Sequence, residues 1–101
     1  MKIIKKISGM IDEELDGARS YAVCALKYRD EHPELSKTLY TIAGQEMQHV
    51  DMLHAAVAGI IMQYRKEHGE PPEAMKAIYD YLHEQQINKA AEVKTLIGMY
   101  R

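Results

Sequence analysis

The stretch Leu39–Ile60 reads LYTIAGQEMQHVDMLHAAVAGI, without a proline and with apolar residues at helical spacing. Counted in sevens, its inward positions are Leu39, Ile42, Glu46, His49, Leu53, Ala56 and Ile60. Five of the seven suit a helix core. Glu46 and His49 do not, because a carboxylate or an imidazole is costly to bury without a partner. Three residues apart, the two side chains lie on one helix face about one turn from each other. Directed together into a bundle, they make either half of a metal site or a buried hydrogen-bonded pair.

The chain on either side repeats the pattern. Ile4, Ile7, Ile11, Glu14, Ala18, Tyr21, Ala25 and Tyr28 alternate at spacings of three and four, which predicts a first helix from near Lys2 or Ser8 to about Arg29. Ser8-Gly9 is a place for a late start or a kink. One position again breaks the apolar rule, and again it is a carboxylate, Glu14. Asp12, Glu13 and Asp16 fall off the stripe, on the solvent side. Asp30-Glu31-His32-Pro33 ends this helix, since proline disfavours helix before it and suits the first helical turn. So short a link makes the second helix antiparallel to the first. It is expected to run from Pro33 to about His68, with Gly69 as a left-handed terminator and Pro71-Pro72 sealing the stop. A third helix begins at Pro72 or Glu73, with Met75, Tyr79, Leu82, Gln86, Val93, Ile97 and Tyr100 as its stripe and Lys89 falling on the seam.

Heights along the helices bring the three polar core positions together. At 1.5 Å per residue, Glu14 lies about 22 Å from Arg29, while Glu46 and His49 lie about 18 and 22 Å from Glu34. In an antiparallel pair the three side chains share one level. Asp51-x-x-His54 and Asp80-x-x-His83 have the same chemistry, but the first falls on the outer face of helix two and the second off the seam of helix three. Both read as surface pairs. Tyr21, Met47, Met52 and Met62 read as packing residues and Cys24 as an inert thiol. Gly44 and Gly59 would let another helix approach.

Composition narrows the class. The 101 residues form one domain, 47% hydrophobic and 28% charged, with seven Tyr, seven Met and no Trp or Phe. The abundance of strong helix formers points to an all-α fold. A formal net charge of −2 gives no footprint for nucleic acid. The single cysteine allows no internal disulfide and fits a reducing cytoplasm. No apolar run approaches the roughly 20 residues of a membrane span, and MKIIKKISGM lacks the apolar core and cleavage site of a signal peptide.

Glu14 on one helix, with Glu46-x-x-His49 on the next, resembles the first half of the ferritin-like di-iron carboxylate bundle over about Lys2–His68. The resemblance implies Glu14 as the first-helix ligand, Glu46 as the bridging carboxylate and His49 as the imidazole ligand, holding iron or manganese. A full bundle of that family has four helices, whereas this chain has room for three, and its third helix lacks a Glu-x-x-His. Glu92 is the acid nearest the right height there, with Glu84 about one and a half turns too low. Two copies packed about a two-fold axis would supply four carboxylates and two imidazoles, as in the encapsulated ferritins. Their shell-targeting tail has no counterpart after Met99-Tyr100-Arg101, and the Cys-x-x-Cys partner of rubrerythrins is absent. The expectation is a three-helix ferritin-like domain, completed as a homodimer or larger oligomer, that oxidises ferrous iron with dioxygen or peroxide. Its rival is a metal-free helical assembly protein that keeps the scaffold.

Overall fold

A computed structural model describes residues 1–100. The fold is all-α: three helices, α1 (Lys2–Lys27), α2 (Pro33–His68) and α3 (Glu73–Met99), joined by two short links. α1 runs unbroken through Ser8 and Gly9, so the dipeptide neither delays nor kinks it. Pro33 occupies the first turn of α2, where its missing N–H would have had no helical partner. The Ser36 amide then donates to the His32 carbonyl at 2.9 Å. At the other end Gly69 has φ 78° and ψ −163°, a positive φ as expected but extended in ψ, a region open essentially to glycine alone. Its N–H donates to the Arg65 carbonyl at 2.9 Å and closes the last turn.

α1 and α2 lie together along most of the length of α1, and α3 packs chiefly on α1 and only lightly on α2. Small residues line the first contact: Ala18, Ala22, Ala25, Ala43 and Ser36 are all buried. Ser36 has no exposure, and its hydroxyl donates to the Ala25 carbonyl. With that one proton committed, it accepts from the Tyr100 hydroxyl at 3.1 Å, and Tyr100 stacks on Tyr40 with ring centres 4.2 Å apart. This ties all three helices at one end. At the other end the Met1 ammonium donates to the Tyr79 hydroxyl at 2.7 Å. Between them Ile11, Leu15 and Val50 form the apolar centre, with Ile7, Met47, Leu53, Val57 and Ala90 packed around it.

Two expectations about the seams are corrected here. In α1 the buried line is Ile4, Ser8, Ile11, Leu15, Ala18, Ala22 and Ala25, so Ile7, Glu14, Tyr21 and Tyr28 flank the core. In α2 the buried line is Ser36, Ala43 and Val50, one position round from the expected seam through Ile42, Glu46 and His49. The cause is α3. A third helix on α1 draws the centre of packing away from the two-helix contact, and both stripes turn to face the new axis. For α3 itself the expected stripe holds: Gln86 and Val93 are buried, and Tyr79, Leu82 and Ile97 are half-buried. Lys89 on that seam reaches Asp16 at 3.5 Å and Asp12 at 3.7 Å, so those two acids face a lysine on α3. Exposed pairs of this kind contribute at most about 1 kcal/mol each.

Leu15→Ala should destabilise the chain by about 2–5 kcal/mol in urea unfolding followed by circular dichroism. Gly69→Ala should cost about 1–3 kcal/mol through its backbone conformation alone. Met62→Ala, at a 67% exposed position, should stay within about 0.5 kcal/mol. A Leu15→Ala change as mild as Met62→Ala would place the core elsewhere.

Candidate metal centre

Glu14, on the flank of α1, faces Glu46 and His49, on the flank of α2, across the contact between the helices. The ligand atoms that the three offer all lie within 4.8 Å of one another, and no other group of three or more such side chains converges among the described residues. The sharing of one level, argued from helical rise, is what the geometry shows. Burial differs from the expectation. The Glu14 and His49 side chains are 28% and 51% exposed, so the trio sits at the open edge of the seam and not in its centre. Gly17 follows Glu14 by one turn, and a β-carbon there would stand 3.6 Å from Glu46 Oε2. A methyl fits at that distance, whereas a longer side chain would crowd the carboxylate.

Electrostatics follow from this crowding. His49 Nδ1 stands 3.2 Å from Glu14 Oε2, and because a carboxylate only accepts, the nitrogen carries the proton. Glu46 is held above the usual carboxyl value by its hydrogen bond with Glu14, then by burial and the Glu14 charge, with His49 pulling the other way. Glu14 is held below its usual value, first as acceptor of that bond from Glu46 and then through His49, with burial opposing. Two carboxyls so placed share one proton and titrate as a pair. A cation entering the trio takes over the role of that proton.

Glu92 lies outside the centre. Its Oε1 accepts from Arg19 Nε at 2.7 Å, in an exposed pair joining α3 to α1. Tyr79 meets Met1 and Gln86 meets Ser8, so Glu92 stands level with Glu14 as its height predicts, but it faces Arg19 and does not join the trio. Glu84 is exposed as well.

A second correction concerns the pairs read as surface. His54 is half-buried between α2 and α3, with Nε2 3.1 Å from Gln86 Oε1 and its ring edge-on to His83 at 5.6 Å between centres. Asp51, Asp80 and His83 are exposed as expected. The signal for His54 was present in Ser36, Ala43, Val50 and Val57, an unbroken small and apolar line at spacing seven that has His54 beside it.

Stability of the metal-free protein should register the shared proton. The folded chain holds the Glu46 proton more tightly than the unfolded chain does. Its contribution is therefore complete at low pH and is lost as pH rises from the ordinary carboxyl value through the raised one. Glu14 acts in the opposite sense, contributing above its ordinary value and losing that as pH falls through its lowered one. Glu46→Gln keeps a donor for Glu14 and should abolish the loss on the rising side, seen as Tm in chelator from about pH 4 to 8. An unchanged slope would mean that the two carboxyls do not share a proton. Compared with protein-family models, with curated proteins and with solved structures, the chain matches none of them.

Proposed function

We propose that this is a metal-binding helical protein of the di-iron carboxylate kind, oxidising ferrous iron with dioxygen or peroxide at a site completed by a second copy. The observation that carries the reading is the convergence of Glu14, Glu46 and His49 within 4.8 Å. The donor set fits the metal class: two hard carboxylates and one imidazole suit iron or manganese. Bound iron would supply one-electron chemistry, ferrous to ferric, with the oxidant taking the electron. The residues have separable parts in this. Glu14 and Glu46 supply negative charge that a more highly charged product ion needs. His49 contributes the nitrogen donor, oriented by its neighbour carboxylate. The proton shared by the carboxyls, and the His49 proton if Nδ1 is the ligand, leave as the ion enters, so affinity rises with pH.

Self-association is supported by the surface beside the trio. Met10 lies one turn before Glu14 and is 45% exposed, and Met52 lies one turn after His49 and is 70% exposed. The elongated chain, 55 × 18 × 18 Å, presents 7044 Å² of accessible surface. A compact monomer of this mass presents roughly 5,800 Å². An open-edged site beside apolar surface favours a partner that brings the remaining ligands.

One observation favours the other reading, a metal-free assembly protein. The trio satisfies itself, and no buried side-chain polar atom among the described residues lacks a hydrogen-bond partner.

Metal analysis of protein purified without chelator tests the choice. Iron or manganese should be present in the parent and fall at least about tenfold in His49→Ala and in Glu46→Ala. Glu92→Ala should retain it. Light scattering should find a dimer or larger species, and Met10→Glu with Met52→Glu should return a monomer that has lost metal. A metal-free monomeric parent, destabilised by His49→Ala, would establish the scaffold reading instead.

A further inference from the structure

The geometry points to a second metal site, built on His54 and His83 where α2 faces α3, that takes a borderline divalent cation such as Zn2+ and clips the two helices together. It rests on residues that play no part in the Glu14–Glu46–His49 centre. The two rings stand edge to face with centres 5.6 Å apart. Imidazoles that share one ion, each nitrogen at about 2.0–2.1 Å, place their ring centres roughly 5–6 Å apart at a tetrahedral angle. The helices already hold the pair at that separation.

The tautomer of His54 is determined by its neighbours. Gln86, 4% exposed, faces the Ser8 backbone carbonyl at 3.2 Å and the Ser8 hydroxyl at 2.8 Å through one amide atom. A backbone carbonyl only accepts, so that atom is the NH2 group and the amide oxygen turns to His54. His54 Nε2 must then carry the proton that it donates across 3.1 Å. Its Nδ1 is left with a lone pair, and the ring is oriented from behind by a buried amide. This is the arrangement that metal-ligating histidines use, one ring N–H donated to a fixed oxygen.

Carboxylates flank the pair on both sides. Asp51 precedes His54 by three residues and lines the groove above, which also contains both imidazoles. Asp80 precedes His83 by three and lines the groove below, a space of about 200 Å³ that again contains both rings. Among the described residues neither aspartate is paired with a cation. Their oxygens do not now converge with the histidines as the first trio's do. Asp51 and Asp80 are exposed and each precedes its histidine by three residues, so their side chains can turn toward the pair without displacing the core. Two nitrogens with one or two oxygens make a more nitrogen-rich set than the first centre's, and zinc, copper and nickel bind such a set more tightly than iron or manganese does. Since α3 touches α2 only lightly, an ion here would supply a link that packing does not.

The test uses the full chain carrying Glu46→Gln and His49→Ala, so that failure of the first centre cannot be mistaken for failure of this one. Calorimetric titration with Zn2+ alone should find one ion per chain, with a rise in Tm. His83→Ala should weaken binding at least about tenfold, and being exposed it should leave the helical dichroism unchanged. His54→Ala should do the same, with Asp51→Asn and Asp80→Asn identifying which carboxylate closes the site. Zn2+ binding that is absent in this background, or undiminished by His83→Ala, would overturn the proposal. So would a doubling of mass on adding Zn2+, which would place the ion between chains.

Discussion

The few residues between Lys27 and Pro33 constrain everything that follows. A link that short leaves α1 and α2 no choice but to run antiparallel and side by side, so each residue's height is set by counting helical rise from the turn. Small residues near the turn, Ala22, Ala25, Ser36 and Ala43, then bring the two backbones close. Once the heights are locked, Glu14 is level with Glu46 and His49. The trio is a consequence of chain connectivity before it is one of chemistry.

α3 decides a different matter. By lying on α1 more than on α2, it moves the packing axis and leaves α2 with two faces of unequal character. One is the buried line through Ala43 and Val50, and the other is the open edge through Glu46 and His49. The same displacement opens a groove on the far side, where His54 and His83 meet over the Gln86 amide. Both polar clusters therefore arise from an asymmetric three-helix packing, which covers one side of the α1–α2 pair and leaves the other uncovered.

The two clusters are built on different chemistry. At the first, two carboxyls crowd each other, which raises the proton affinity of Glu46 and lowers that of Glu14. At the second, two imidazoles stand edge to face, and a buried amide sets which nitrogen of His54 faces the groove. The first is thus sensitive to charge and the second to the alignment of two helices. Neither lies near a segment able to cross a membrane, since among the described residues no helix is long and apolar enough to do so.

By itself the sequence determined the helices and their order. Pro33, Gly69 and Pro71-Pro72 are local signals whose effects on backbone dihedrals hold in any tertiary context, so α2 begins and ends where they say. It also determined that Glu14, Glu46 and His49 share a level, because rise per residue is a property of a single helix. Rotation about the helix axis was not legible in it. A stripe at spacings of three and four is about as wide as the difference between a two-helix seam and the flank of a three-helix core, so His49 read as inward and His54 as outward. Only the packing of α3 on α1 chose between them. The fate of Glu92 was equally beyond the sequence: its height could be counted from Pro72, but its pairing with Arg19 depends on which side of α1 the third helix takes. Axial position is encoded residue by residue, whereas facing direction is settled by where the neighbouring helices lie.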